Sequence, residues 1–216
     1  MAVAARRERE RTARREAILD AAEELVVSEG YHGLRMDAVA DAVELSKGTL
    51  YLYFANKDAL CAAVATRFID TFIPFIESAV DEAPSGLDKI GALLHAQYRF
   101  TQENPQHFRF ALGWLSAGQT IDDSSEAFQT YRARVGQVLS ILVSALQQGQ
   151  RDGSIRKDID PLNQAVQIWT SFIGVVLVGV NRESMEQRIP APVDLGRLVP
   201  LHVDSVLRAL ASEGAS

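Results

Sequence analysis

Apolar residues recur at three- and four-residue spacing along nearly the whole chain, without the alternating runs or hairpin dipeptides of strands, so the pattern predicts an all-α fold. The first stripe, Ile18, Ala22, Leu25 and Val26, predicts a helix from about Thr12 to Glu29, with Gly30 as its stop. Two shorter segments follow. Met36–Val43 has helical spacing, Glu44-Leu45 reads as a tight turn, and Ser46 can cap a helix that starts at Lys47. Asn56 and Lys57 then open the next helix, which continues through Leu60, Val64, Phe68 and Phe72. Pro74 should kink that helix or end its first part, because proline lacks a backbone donor and crowds the preceding turn.

The remaining pattern divides at turn residues. Leu87–Glu103 is the next helix, broken by Asn104-Pro105, and the one after it carries His107, Phe108, Phe110, Leu112, Trp114 and Leu115. A loop is expected at Gly118–Ser124, then a long helix over Glu126–Gln150. Asp160 as cap and Pro161 at the first helical position begin another, running to about Asn181. A proline loop at Ile189–Pro192 leads to a last helix, Asp194–Leu210, which Pro200 should disturb. The apolar faces of the last two helices (Ile168, Phe172, Val175, Val176; Leu195, Leu198, Val206) suit a four-helix dimer interface, with burial inside one subunit as the other reading.

The short segment at Ser46–Lys57 carries the most specific chemistry. At about 100° per residue, Leu50 and Phe54 share one side of a helix, while Gly48 and Leu52 point away. Thr49, Tyr51 and Tyr53 flank the outward face. Two short helices joined by about three residues form a helix-turn-helix, whose second helix enters the DNA major groove. Leu52 faces the groove without a hydrogen-bonding group, so it either meets a thymine methyl or packs on a neighbour.

Charge qualifies this reading. The net charge is −6, and residues 1–60 hold nine Lys/Arg against eleven Asp/Glu, a net of −2. The positive charge is nevertheless concentrated: Arg6, Arg7, Arg9, Arg11, Arg14 and Arg15 crowd the first fifteen residues. This run reads either as a solvated tail or frayed helix start, or as an arm that follows phosphates or enters the minor groove. It lacks the apolar stretch of a signal peptide. Ile168–Val180, at 13 residues, is too short to span a bilayer, and a single cysteine, Cys61, suits a reducing compartment. A cytoplasmic protein with no membrane partner is expected. No Gly-rich phosphate loop, nucleophile elbow or zinc-protease motif occurs, so no catalytic activity, cofactor or metal is expected. His95 and His107 stand apart from other ligand types, and Cys61 reads as a small buried apolar residue.

Taken in order, Ala17-Ile-Leu-Asp-Ala-Ala22, Gly30-Tyr31, Val39-Ala40, Ser46-Lys-Gly-Thr-Leu-Tyr51, Tyr53-Phe54 and Lys57 resemble the DNA-binding domain of the TetR/AcrR family of bacterial transcriptional regulators. The resemblance covers residues 11–60, about a quarter of the chain; the rest is similar only in length and helical pattern. It implies a three-helix DNA-binding domain at residues 1–56 and a larger helical ligand-binding and dimerisation domain at 57–216. It further implies DNA contacts from Arg35, Ser46, Lys47, Gly48, Thr49, Tyr51, Leu52, Tyr53 and Lys57. Three departures stand out: Glu44 replaces the usual turn glycine, Leu34-Arg35 replaces the usual Ser/Thr cap of the second helix, and Asp37 faces the phosphates. In the second domain the resemblance implies an effector pocket, with Phe68, Phe72, His95, Tyr98, Phe110, Trp114, Trp169 and Phe172 as candidates, each open to a plain core reading. The expected function is a homodimeric regulator, a repressor released from a palindromic double-stranded operator by a hydrophobic small molecule. The alternative is a helical protein that answers to a partner protein or acts on a small molecule.

Overall fold

The computed structural model describes residues 2–118, 122, 124–180, 185, 187–188 and 195–212. Its elements are α1 (Ala2–Gly33), α2 (Met36–Ala42), α3 (Lys47–Tyr51), α4 (Lys57–Asp81), α5 (Gly86–Glu103), α6 (Pro105–Ser116), α7 (Glu126–Asp152), α8 (Pro161–Val180), a 3-10 turn at Leu195–Arg197 and α9 (Leu198–Leu210). The expected all-α architecture holds, and no strand occurs among the described residues.

The chain forms two compact units. The first holds Met1–Ile69 and Gln106–Arg134, the second Asp70–Pro105 and Val135–Ser216. The functional division expected at residues 56 and 57 is therefore not the division into compact units. α6 explains the difference: Phe110 and Trp114 are buried in the same core as Ile18, Leu50 and Phe54. Trp114 also donates its indole N–H to Asp58 Oδ1 at 3.2 Å, which fixes α6 to the start of α4.

α1 begins about ten residues earlier than its apolar stripe predicts. Ala, Arg and Glu are good helix formers, and Arg6 pairs with Glu10 one turn on at 2.8 Å. Gly30 does interrupt the helix, at φ 70°. α4 continues past Pro74 to Asp81, so of the two outcomes expected there the helix end does not occur. Ile73 and Ile76 on either side are buried, so tertiary packing holds the helix across the missing hydrogen bond. Near Pro200 the last helix does change, from a 3-10 turn at Leu195–Arg197 to α-helix at Leu198. Pro200 is the third residue of α9, in the turn whose N–H groups have no partner within a helix. Asp160 caps α8 as expected, accepting from Asn163 N–H at 2.8 Å. The expected loop at Ile189–Pro192 and the helix start at Asp194 lie outside the described residues, as does most of Gly118–Ser124.

In the second unit α9 packs against α5 and α8, and an isolated bridge joins Ile155 to Ala211. Ile168, Phe172, Val176 and Val206, expected at a dimer interface, are buried inside the chain instead. The exposed apolar residues of α8 are Leu162, Val166, Trp169 and Leu177, spaced to form one outer stripe. By length and composition, α4 and the Pro161–Gly179 run of α8 are each apolar enough to cross a membrane. That corrects the limit set at Ile168–Val180, because the uncharged run reaches back to Pro161.

The turn between α2 and α3 bears out the oddity of Glu44. Leu45 N–H donates to Ala40 O at 2.9 Å and Glu44 N–H to Asp41 O at 3.2 Å, the two bonds of a Schellman cap. That cap needs a left-handed residue, and Glu44 takes it at φ 54°. A side chain there costs about 1–2 kcal/mol, offset in part by the greater unfolded-state entropy of glycine. Glu44→Gly should therefore stabilise the fold by roughly 1 kcal/mol and raise the thermal midpoint by about 2–4 °C. A lowered midpoint would show that Glu44 contributes something the turn geometry does not reveal.

Candidate nucleic-acid interface

α3 is held by its cap and two anchors. Ser46 Oγ accepts from Thr49 N–H at 3.1 Å and shares a 2.8 Å hydrogen bond with the Thr49 hydroxyl. Both capping groups are thereby tied to the helix start. Leu50 is fully buried, and Phe54 follows it into the core while its N–H donates to Leu50 O at 3.1 Å. Regular helix ends at Tyr51, however, and Leu52-Tyr53 form a turn. The outward face consequently differs from the one a longer helix would present. Lys47, Gly48 and Tyr51 are exposed, Leu52 is 78% exposed, and Tyr53 is half-buried against the core. The exposure of Leu52 removes the packing alternative within this chain.

Electrostatic partners are already present on this surface. Lys47 Nζ lies 2.6 Å from Asp37 Oδ1, bridging α3 to α2, and both side chains are exposed. The Asp37 carboxylate, first by hydrogen bond and then by charge, raises the Lys47 pKa and keeps it cationic. Asp37 thus offers the lysine an exchangeable partner that a phosphate can replace. Arg35 precedes α2 with an exposed side chain and no side-chain capping bond, as its replacement of a Ser/Thr cap implies.

Lys57 is more deeply committed. Its ammonium donates to Tyr31 O at 3.0 Å and sits 3.9 Å from the centroid of the Tyr31 ring. It closes the end of α1 onto the start of α4, where Asn56 Oδ1 accepts from Ala59 N–H at 2.8 Å. An ammonium has three donors, so two remain for other contacts. Tyr31 carried no expected polar role; its link to Lys57 is a contact across 26 positions that no local pattern encodes.

The candidate effector residues are divided between the two units. Phe68, Phe110 and Trp114 belong to the first unit, whereas Phe72, His95, Tyr98, Trp169 and Phe172 belong to the second. Phe110 and Phe172 are core residues with no exposure. Phe68 stacks on His107, with ring centroids 3.7 Å apart. Burial lowers the His107 pKa although Glu23 stands 3.8 Å away, and its Nδ1 is buried without a partner. His95 is exposed and bonds its own helix at Gly91 O, and Trp169 lies on the outer stripe of α8. Tyr98 is half-buried on α5. Phe72 does have aromatic company: Phe100 packs against both Phe72 and Phe75, with Arg99 over Phe75. Neither Phe75 nor Phe100 was among the expected residues, although Phe75 lies one turn from Phe72. Cys61 is buried, and burial pushes its thiol up to about 12, where the reactive thiolate is scarce.

Residues 18–64 match the profile described as bacterial regulatory proteins, tetR family. The chain is 32% identical over 99 residues to the HTH-type transcriptional activator FasR of Mycolicibacterium smegmatis, covering 46% of this chain and 45% of that protein. It is 33% identical over 90 residues to an HTH-type transcriptional regulator of Haemophilus influenzae, covering 42% and 48%. The chain thus matches just under half the length of each of these relatives. Among solved structures, it is similar to the transcriptional regulator FadR of Bacillus subtilis in complex with stearoyl-CoA, at TM-score 0.67 and 20% identity over 90% of this chain and 98% of that one. At that identity the likeness is one of fold.

Proposed function

The chain belongs to the TetR family of bacterial transcriptional regulators, and from that premise we propose that it binds a palindromic DNA operator through α3 and releases it when a small apolar effector binds. The observation that carries the proposal is α3 itself. Leu50 and Phe54 bury one side, while Lys47, Gly48, Tyr51 and Leu52 are left to solvent. Leu52, 78% exposed just past the end of α3, is free to meet an apolar group, and a thymine methyl in the major groove is a fitting partner. Arg35, Ser46, Lys47, Thr49, Tyr51, Tyr53 and Lys57 then supply phosphate and groove contacts around it, with Gly48 admitting the backbone closely.

The effector proposal rests on the second unit, where Phe72, Phe75 and Phe100 cluster. With the stearoyl-CoA complex of the structural relative, it makes acyl thioesters the first class to test. Effector and operator act on one equilibrium: the ligand must favour the DNA-incompetent state, and DNA must weaken the ligand by the same factor. Repression is the default sense, because an effector that releases DNA restores access to the site. The outer stripe of α8, Leu162, Val166, Trp169 and Leu177, is the surface proposed to pair with a second copy. Asn163, Gln164 and Gln167 are interspersed with it, which suits a protein partner better than a lipid interior. A soluble, cytoplasmic, non-enzymatic protein follows from this role.

Leu52→Ala tests the reading at α3. Base preference should relax at one symmetric pair of operator positions by about 1 kcal/mol, with the other positions unchanged. A uniform loss over all positions would remove Leu52 from base reading.

A further inference from the structure

The N-terminal part of α1 is a second charged surface that the reading of α3 does not use. From Ala2 to Glu29 the helix is uninterrupted, and Val3 to Arg14 are exposed. At about 100° per residue, Arg7, Arg11 and Arg14 fall within roughly 60° of one another. That face is the one that carries Ile18, Ala22 and Leu25 further along, the residues with which α1 packs onto the helix-turn-helix core. A single helix face thus changes from apolar to arginine where it leaves the core. At the change-over, Arg15 lies 5.2 Å from the centroid of Phe54, the buried residue that follows the turn after α3. Arg6, by contrast, is paired with Glu10. Arg7, Arg11 and Arg14 have no ion pair among the described residues, and Glu8 and Glu10 stand at the two edges of their stripe.

We propose that Arg7, Arg11 and Arg14 form a helical ledge that binds the DNA phosphate backbone beside the groove entered by α3. The stretch from Ala2 to Arg15 is roughly 20 Å long, so it can follow several successive phosphates. The occupant is set by charge complementarity: three unpaired guanidiniums at about one-turn spacing suit a regular row of singly charged phosphates. At the inner end of the ledge Arg15 lies against Phe54, three residues past α3, so one duplex can meet both. These contacts carry no base information; they add affinity and fix orientation. An otherwise acidic chain thereby gains local attraction without a basic domain.

The proposal rests on α3 being a DNA-binding element, and the test separates the two. Affinity for sheared genomic duplex DNA is measured against salt for the full chain, for Arg7→Ala/Arg11→Ala/Arg14→Ala, and for Arg6→Ala/Arg9→Ala on other faces of the helix. Alanine keeps the helix, which circular dichroism checks. The ledge variant should lower the salt slope by about 2.7, nearly one unit per phosphate lost, and weaken binding ten- to a hundredfold at low salt, about 1.4–2.7 kcal/mol. The control should lose much less per charge. An unchanged slope in the ledge variant, or an equal loss per charge in the control, would overturn the ledge while leaving α3 in place. If the parent itself retained no duplex, the α3 reading would fall and the ledge with it. Loss of binding to phosphatidylglycerol vesicles in the ledge variant, with its DNA binding unchanged, would assign the stripe to a membrane and overturn the proposal.

Discussion

The double variant Lys47→Ala/Tyr51→Ala is expected to bind operator DNA about a hundredfold more weakly than the parent while melting at the same temperature. The two halves of this expectation have separate causes. Lys47 and Tyr51 are both exposed, and the partner of Lys47 is an exposed carboxylate, so neither holds the fold. Each is proposed to supply one contact to DNA, and losing two such contacts at roughly 1.4 kcal/mol each gives the factor of a hundred. The salt slope should fall by about one unit, because of the two side chains only Lys47 carries a charge that can neutralise a phosphate. Measuring titration curves at several salt concentrations, beside a thermal melt, checks both halves. Full affinity in the double variant would mean that α3 is not the contacting helix.

Gly86→Ala is expected to have the largest effect on stability. An added Cβ would lie 2.0 Å from Gly149 N, 2.3 Å from Gly149 Cα and 2.6 Å from Ala145 O. These are backbone atoms of α7, so no side chain can swing aside. The same junction is tied by Gly86 N–H donating to Asp152 Oδ2 at 2.8 Å and Leu87 N–H to Ser154 Oγ at 3.2 Å. Separating α5 from α7 there strains both bonds. Overpacking of this kind costs about 3 kcal/mol, enough to lower the midpoint by roughly 10 °C. Gly136→Ala is the control. Nothing lies within 4 Å of its Cβ, and a mid-helix alanine there should stabilise by about 0.5–1 kcal/mol. If the two variants melted alike, the close approach of α5 and α7 would be disproved.

What could be read from the sequence was what is decided locally. Ser46, Asp160 and Gly30 announce helix ends through caps and backbone freedom, and the structure has helix ends or breaks at all three. Glu44 was legible as a departure only through the family resemblance, which has a glycine at that turn, and it is found at positive φ. The shortness of α3 was not legible. A wheel drawn through Phe54 assumes the helix continues, whereas the chain turns at Leu52-Tyr53 and draws Tyr53 toward the core. Contacts between distant segments were also hidden. Nothing near Lys57 indicates that its ammonium will meet Tyr31 O, and nothing in the aromatic stripe of α6 indicates which core it joins. That Pro74 would not end α4 was hidden for the related reason that packing can outweigh a lost hydrogen bond. On α8 the periodicity was plain, but two stripes coexist: Ile168, Phe172 and Val176 face inward, and Leu162, Val166, Trp169 and Leu177 face out. Hydrophobicity alone cannot say which of two apolar stripes a subunit keeps for itself.

The central claim is that this chain reads a specific double-stranded site as a symmetric pair. Genomic DNA fragments retained by the purified full-length chain at physiological salt, once sequenced, test it most directly. The account predicts enrichment of one motif made of two inverted half-sites, a fixed number of base pairs apart near a multiple of the helical repeat, about 10 base pairs. Retention that scales with fragment length and shows no shared inverted motif would contradict it.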